Sequence, residues 1–257
     1  MKKVVVRLLV LWIIFMTMGQ SLYAQKRYLK GDTLYVWSRQ GLFLRNEPNG
    51  NQINSLQFST LVIALEDEPD NQIQLEVIKS YESKGKSYPS VSLQGNYVNV
   101  QVPQLGQAGY VFDAYISKYP PILELEKDQY NEGFHNYFSK EFGLLKEFKN
   151  HGDRENLRLK IIYGNGINYN LKTTACCSEE VIIFPDMKYT EAYIILNTLF
   201  EFEEVINKTK GVQPFYIGVV ENYESSGERK ILINKELFTY GIHQIENYTI
   251  VTIAGGD

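Results

Sequence analysis

The sequence predicts a chain in two parts: a mainly β domain, followed by an α+β domain whose helices lie on one face of an antiparallel sheet. From Gly31 onward, apolar residues alternate with polar ones, as they do in half-buried strands. Pro120-Pro121 then interrupts the pattern with a stiff, extended spacer. From Asp128 the apolar residues recur every three or four positions, which is the period of an amphipathic helix. The change of period therefore indicates a change of architecture.

The first 24 residues have the layout of a secretory signal peptide. A basic start with Lys2, Lys3 and Arg7 precedes a mostly apolar run, and a small residue, Ala24, stands before Gln25. The apolar run is too short to cross a hydrocarbon core of ~30 Å as a helix. We therefore expect cleavage near Ala24-Gln25 and no stable membrane span afterwards. The expected location is exported, either periplasmic or extracellular.

The charge balance argues against nucleic acid as a partner. The chain has 26 basic and 30 acidic side chains, a formal net charge of −4, and no basic run. Loss of the three basic residues of the leader would take this charge from −4 to −7. The remaining chain, 257 minus 24 residues, has room for one large or two small domains.

Five stretches of the first part alternate like strands: TLYVW, GLFLR, TLVIAL, NYVNVQV and GYVFDAYIS. In GLFLR, Leu42 and Leu44 share the inward face, whereas Phe43 and Arg45 point outward. This strand must end before Pro48, because proline has no backbone N–H to give to a central strand. We expect Arg45 to be a structural partner of a carboxylate or a carbonyl group rather than a clamp for a ligand.

The order of these stretches resembles the bacterial SH3 domain. The resemblance covers residues 31–118 and rests on Gly-Leu-x-Leu-Arg-x-x-Pro, then aromatic-Val-x-Val, then Gly-x-x-Gly-Tyr-Val-Phe. The chain departs from the family pattern at Ser59, often glycine, and at Tyr97, often tryptophan. A long insertion before Tyr97 predicts an added hairpin with Lys84-Gly85-Lys86 at its tip.

This resemblance implies a small, strongly bent SH3-like β-barrel over residues 25–119 that recognises a cell-wall peptide or another extended envelope chain. Aromatic side chains off the valine-leucine face would line its ligand groove. The candidate ligand-binding residues are Trp37, Phe43, Tyr97, Tyr110 and Tyr115. The competing interpretation is that several of them only close the ends of the barrel, because exposed aromatic residues indicate binding only as a cluster.

The second part begins after a linker at residues 120–127 and is predicted as an α+β domain over residues 128–257. DQYNEGFHNYFSKEFGLLKEF predicts a helix that includes Leu145 and Phe148 in its apolar stripe, with a break near Gly143. LRLKIIY and INYNLKTTA predict a hairpin about a glycine-asparagine turn, and EEVIIF predicts a third strand.

The pattern then repeats with another helix and more strands. A second helix is predicted from about Lys188 to Lys208, with Asp186 as its candidate N-cap. PFYIGVVENY, RKILINK and NYTIVTIAG predict three further strands. The order of helix, three strands, helix and three strands places both helices on one face of an antiparallel sheet.

No catalytic motif is recognisable. A cysteine peptidase needs its nucleophile at a helix N-terminus with a histidine base nearby, but Cys176-Cys177 precedes a predicted strand. His135 belongs to a predicted helix, His151 to a polar turn, and His243 to an apolar stretch near a turn. Nucleophile elbows, phosphate loops and zinc-protease motifs are absent from the sequence.

The sequence also predicts no metal site and no cofactor. The acidic run Glu66-Asp67-Glu68-Pro69-Asp70 lacks the alternating spacing that wraps oxygen atoms around calcium, so we expect a solvated loop. The adjacent Cys176 and Cys177 do not fit a zinc-binding Cys-x-x-Cys loop, and the chain has no second cysteine pair.

The redox state of Cys176 and Cys177 stays open at this point. Export would expose them to an oxidising environment, which permits a disulfide. Adjacent Cα atoms lie only about 3.8 Å apart, closer than the usual ~4.4–6.8 Å of a disulfide. The alternative is a pair of thiols in an alternating strand, one facing the core and one facing out.

The function that these observations favour is that of an exported, non-catalytic binding or adaptor protein. Its partner would be a cell-wall or envelope peptide or protein, recognised by the SH3-like domain. The alternative is a cell-envelope hydrolase whose active site lies unrecognised in residues 128–257.

Overall fold

The computed structural model describes residues 26–69, 73–83, 86–88, 90–122, 130–151, 157–200, 202, 221–225, 228–235 and 238–256. The expected leader, most of the expected linker and much of PFYIGVVENY lie outside these residues. The described chain consists mostly of strands in antiparallel sheets, together with two helices. The predicted mixture of a mainly β part and an α+β part is therefore confirmed at this level.

The first unit, residues 26–122, consists of strands and two single 3₁₀ turns, at Pro103–Leu105 and Asp113–Tyr115. Its strands are β1 (Thr33–Val36), β2 (Leu42–Arg45), β3 (Gln52–Leu56), β4 (Leu61–Ala64), β5 (Ile73–Ile78), β6 (Tyr81–Ser83), β7 (Lys86–Tyr88), β8 (Val91–Gly95), β9 (Tyr97–Val102), β10 (Gln107–Phe112) and β11 (Ile116–Ser117).

Seven of these strands form one antiparallel sheet in the order β11-β1-β4-β9-β10-β2-β3. Among the described residues this sheet has two edges, β11 and β3, and does not close into a barrel by strand pairing. Its inner face is filled by one cluster of buried side chains, including Leu34, Leu42, Leu44, Val98 and Val100. The inward face predicted from the alternation is therefore confirmed.

The long insertion of the first unit forms two small paired sheets. β5 pairs with β8, and β6 pairs with β7 in an antiparallel hairpin with Tyr81 opposite Tyr88. This confirms the added hairpin, although Lys84-Gly85 at its tip lies outside the described residues. Ser59, where the resemblance expects glycine, has φ of 67°, in the left-handed region that glycine enters most readily.

The described part of the second unit, which lies within residues 130–256, includes two helices, α1 (Tyr130–Phe142) and α2 (Tyr189–Phe200). Its strands are β12 (Leu144–His151), β13 (Leu157–Tyr163), β14 (Asn168–Thr173), β15 (Cys177–Pro185), β16 (Glu221–Ser225), β17 (Glu228–Lys235), β18 (Phe238–Ile245) and β19 (Tyr248–Gly256). The hairpin of β13 and β14 and the following strand β15 are as predicted.

The stretch after Gly143 differs from the prediction. Gly143 has φ of 66°, and its N–H donates to the Ser139 carbonyl at 3.1 Å, which ends α1. The chain then enters β12, so the prediction that Leu145 and Phe148 continue the buried helical stripe is wrong, and both are exposed. His151, expected in a polar turn, is the last residue of that strand.

The eight strands form one antiparallel sheet in the order β12-β13-β14-β15-β19-β18-β17-β16. Among the described residues, each half consists of one helix and a four-strand meander, and the last strand of each meander, β15 or β19, joins the halves. β18 was missed by the sequence prediction, which assigned three strands to the second half, and His243 lies in it. The first strand of each meander, β12 or β16, therefore lies at an edge of the sheet.

Both helices pack on the same face of this sheet. The Phe138 ring of α1 lies 5.3 Å from the Tyr163 ring of β13, and the Phe200 ring of α2 lies 4.6 Å from the Tyr240 ring of β18. The predicted placement of the helices is confirmed. No helix among the described residues is long and apolar enough to cross a membrane.

The two units share a hydrophobic core. Trp37, Leu93, Phe112 and Ala114 of the first unit belong to the same buried cluster as the helices and the sheet of the second. The isolated first unit would therefore expose apolar surface that is buried in the whole protein.

Candidate functional site

The outer patch of the first unit consists of Phe43, Arg45 and Tyr110. Phe43 is 49% exposed, and its ring centroid lies 5.5 Å from the Arg45 guanidinium carbon. Arg45 pairs in register with Tyr110 on the adjacent strand β10. The alternation of β2 sets Phe43 and Arg45 on the same outward face, because side chains two positions apart share a face.

The Arg45 guanidinium is held in place by its own turn. Its Nη1 donates to the Gly50 carbonyl oxygen at 2.7 Å, which confirms the predicted carbonyl partner. A guanidinium group has five N–H donors in a planar fork, so this bond fixes its orientation and leaves capacity for an acceptor outside the protein. The patch thus offers an aromatic face beside a positioned cation.

Trp37 does not lie on this surface. Its side chain is fully buried in the shared core, and its indole Nε1 donates to the Tyr119 carbonyl at 2.8 Å. The Thr198 hydroxyl of α2 donates to the Trp37 carbonyl oxygen at 2.5 Å. In this structure Trp37 therefore joins the two units and has no exposed surface to offer a ligand.

Tyr97 and Tyr115 are half-buried and lie against Phe112. The Tyr97 ring meets the Phe112 ring edge-on at 5.6 Å, and the Tyr115 ring is tilted against it at 6.2 Å. Of the five predicted aromatic residues, the structure thus brings Phe43 and Tyr110 to one exposed surface and gives the other three packing contacts. The contacts of Trp37, Tyr97 and Tyr115 agree with the competing interpretation, in which several aromatic residues only close the end of the domain.

A buried charged network holds the start of the described chain, and sequence reasoning missed it. Arg27 Nε lies 2.7 Å from Glu68 Oε1, and Arg27 Nη2 lies 2.7 Å from Asp113 Oδ2. Tyr28 donates its hydroxyl hydrogen to Asp113 Oδ2 at 2.8 Å. The prediction that Glu66-Asp67-Glu68-Pro69-Asp70 is simply a solvated loop is wrong for Glu68, because Arg27 draws its carboxylate into the interior.

The charges of this network stabilise one another. Burial by itself lowers the pKa of Arg27, but the Asp113 and Glu68 carboxylates outweigh it and raise the pKa above its ordinary value. Burial by itself raises the pKa of Glu68, but Arg27 and Lys188 outweigh it and hold the pKa below its ordinary value. Each ion is therefore compensated, as buried charges must be.

The network extends to α2 of the second unit. Lys188 Nζ lies 2.8 Å from Glu68 Oε1, and Ser117 donates its hydroxyl hydrogen to Glu191. Burial raises the pKa of Glu191, and the nearby Arg27 and Ser117 lower it only in part. These contacts fasten the first unit to the second, and we assign them a structural role.

A second buried carboxyl group, Glu180, lies on the core face of β15. Tyr169 donates its hydroxyl hydrogen to Glu180 Oε2 at 3.1 Å, and burial raises the pKa of Glu180 to about 7 despite this bond. The His135 ring of α1 stacks on the Tyr169 ring at 6.3 Å, and its Nδ1 lies 2.9 Å from the Tyr163 hydroxyl. Glu180 is 3% exposed.

Cys176 and Cys177 lie where the chain enters β15. Both are exposed, so the prediction that one would face the core is wrong; Cys176 precedes the strand and Cys177 only begins it. Their sulfur atoms lie 2.8 Å apart, closer than two non-bonded sulfur atoms normally approach and longer than the ~2.05 Å of a disulfide. The turn therefore presents both sulfur atoms together to solvent.

The face of the eight-stranded sheet opposite the helices carries a basic groove that sequence reasoning also missed. Its volume is about 660 Å³. We define it by the lining residues that alternate onto this face: Phe148, Arg158, Lys160, Asn170, Lys172, Glu179 and Val181. The signal was present in LRLKIIY, where Arg158 and Lys160 alternate with leucine, but only the pairing of β13 with β14 shows that Arg158 meets Lys172.

Neither a known family nor a metal site accounts for these features. No protein-family model, no curated protein and no solved structure matches the chain. Within the described ranges, no group of three or more histidine, cysteine, aspartate or glutamate side chains is placed to hold a metal ion. A functional conclusion must therefore come from the geometry alone.

Proposed function

We propose that the protein is an exported, non-catalytic binding or adaptor protein. In this proposal the first unit is an SH3-like domain of the bacterial kind, and it recognises an extended peptide of the cell wall or envelope. The single observation that carries the proposal is the outer patch, in which an exposed Phe43, a positioned Arg45 and a half-buried Tyr110 adjoin.

The chemistry of the outer patch suits a peptide ligand. Aromatic faces stack on apolar or proline-rich segments of an extended chain, and a guanidinium binds a carboxylate or a carbonyl oxygen. Arginine and aromatic residues also dominate the binding energy of many interfaces. The carboxylates of the buried charged network are held by structural partners, Arg27, Tyr28 and Lys188, which agrees with a role in stability.

The proposal is tested by binding of the whole purified protein to isolated cell wall and to solubilised envelope proteins. The whole chain is needed because the two units share a core. Phe43→Ala and Tyr110→Ala should each weaken binding by about tenfold. Tyr248→Ala is the matched control, because Tyr248 is 50% exposed and lies in the other unit.

Two results would contradict the proposal. One is the absence of binding to any envelope fraction by a folded protein, and the other is equal binding by the two patch variants and the control.

Export is tested separately by N-terminal sequencing of the protein recovered from the envelope or the medium, which should begin at Gln25 or within a few residues of it.

The observation that favours the alternative, an envelope hydrolase, is the Glu180 carboxyl group with its pKa of about 7. General acids and bases have pKa values in this range, but they must also reach a substrate. Because Glu180 is 3% exposed, we hold this to be the weaker proposal. Hydrolysis of cell-wall material by the native protein, lost in Glu180→Gln, would favour the hydrolase.

A further inference from the structure

β12 is the end strand of the eight-stranded sheet and is exposed on both of its faces. Among the described residues β13 is its one strand neighbour. Leu144, Leu145 and Phe148 are 48%, 69% and 48% exposed. The free edge of such a strand presents backbone N–H and C=O groups that can pair with another extended chain. β12 therefore has both the backbone groups and the apolar surface of a docking strand.

The basic groove adjoins this strand, because Phe148 of β12 lines it and lies opposite Lys160 of β13. In β13 and β14, Arg158 lies opposite Lys172, and Lys160 lies opposite Asn170. Within the described part of the chain, no carboxylate forms a salt bridge with these cations. Glu179 is the one acidic residue in the lining. A local excess of positive charge on a chain of formal net charge −4 indicates an anionic partner.

An acidic segment suits this edge better than a second copy of the chain does. In an antiparallel pair, residues that lie opposite each other point to the same face, so a second copy paired through β12 would place its own basic groove on the same side as the first. Two such faces of like charge repel each other, whereas an acidic chain meets no such repulsion.

We propose that β12 and the basic groove form a docking site for an acidic segment of another protein, bound as an added strand. The backbone of the segment pairs with the free edge of β12. Because successive side chains of a strand point to opposite faces, every second side chain of the segment reaches the groove side, where Phe148, Lys160 and Arg158 lie. Carboxylates suit these positions. The other face of β12 carries Glu147 and Lys149, one charge of each sign, so uncharged side chains suit that face.

The probe is a fluorescent peptide of alternating glutamate and valine, of the same length as β12, eight residues. Its binding to the whole protein is measured by fluorescence anisotropy at low and at high salt. Lys160→Glu should lower the affinity by about tenfold, and added salt should weaken binding by the wild-type protein. Lys140→Glu, an exposed charge reversal at the end of α1, is the matched control and should change little.

The same peptide with N-methyl groups on alternate backbone nitrogens should not bind, because it cannot form the strand pairing. Equal binding of the methylated peptide would overturn the proposal, as would equal competition by inorganic polyphosphate. Concentration-dependent dimers that form through β12 and exclude the peptide would also overturn it. Phe43→Ala should leave peptide binding unchanged, so failure of this inference and failure of the proposed function can be told apart.

Discussion

Replacement of Glu180 by glutamine is expected to stabilise the protein at neutral and alkaline pH but not at acid pH. The Glu180 carboxyl group is buried on the core face of β15 and accepts one hydrogen bond, from Tyr169. Burial raises its pKa from 4.5 to about 7. Glutamine has nearly the same shape and can accept the same bond, but it carries no charge at any pH.

The magnitude follows from the shift in pKa. A change from 4.5 to about 7 is about 2.5 pH units, and each unit corresponds to about 1.36 kcal/mol, so ionised Glu180 costs the folded state about 3 kcal/mol. Because the pKa of Glu180 is raised in the folded state, the protonated carboxyl group makes its full contribution to stability below pH 4.5. That contribution is lost as the pH rises through 7.

The assay is thermal and urea unfolding of the wild-type protein and Glu180→Gln at pH 5 and at pH 8. At pH 8 the variant should be more stable by up to about 3 kcal/mol, or roughly 6–12 °C in melting temperature, and at pH 5 the difference should be small. Glu179→Gln is the matched control, because Glu179 is exposed on the opposite face of the same strand. It should change stability by no more than ~0.5 kcal/mol at either pH.

A gain of equal size at pH 5 and pH 8 would refute this reasoning, because it would show that charge is not the cause. A variant less stable than the wild-type protein at pH 8 would refute it as well. That result would mean that the ionised carboxylate has partners which stabilise it more than burial destabilises it.

Two further predictions concern the charged network and the cysteine pair. Glu68→Gln should lower the free energy of unfolding by about 1–3 kcal/mol in urea titrations, because it leaves the buried Arg27 with Asp113 as its remaining carboxylate and removes the carboxylate that pairs with Lys188. The exposed Asp67→Asn should cost under ~0.5 kcal/mol. Equal losses would contradict the assigned role of the network. The second prediction concerns Cys176 and Cys177, whose sulfur atoms lie together. Treatment of the protein with a small-molecule disulfide should join them by thiol–disulfide exchange. Both cysteines should then fail to react with a thiol label, and the mass of the monomer should fall by two hydrogens. Mixed disulfides with the reagent on both cysteines, or disulfide-linked dimers, would contradict that prediction.

The parts of the fold that the sequence predicted are those governed by local periodicity. Leu42 and Leu44 alternate with Phe43, and their burial follows from the two-residue period of a strand. The hairpin of β13 and β14 follows in the same way. The helix prediction continued past Gly143, because apolar residues kept a spacing close to that of a helix, and only the left-handed turn at Gly143 separates α1 from β12.

The parts that the sequence did not predict depend on residues distant in the chain. Glu68 is buried because Arg27 and Lys188 neutralise it, and neither residue lies in the acidic run. Trp37 is buried because α2 packs over the first unit and Thr198 binds its carbonyl group. Arg158 and Lys172 form one basic surface only after β13 and β14 pair. None of these contacts can be predicted from a local sequence pattern.

The position of β19 has a consequence for the order in which the protein can assemble during synthesis. β19 is the last strand in chain order, yet it lies in the middle of the sheet and pairs with β15 from Cys177↔Gly256 to Pro185↔Tyr248. The meander of the first half can form soon after its residues leave the ribosome, since its contacts are local. Its inner edge, β15, has to wait for Tyr248–Gly256 before it gains its second neighbour. Until that moment the nascent chain has an uncovered apolar strand, VIIF, which would need a chaperone or rapid export to prevent aggregation.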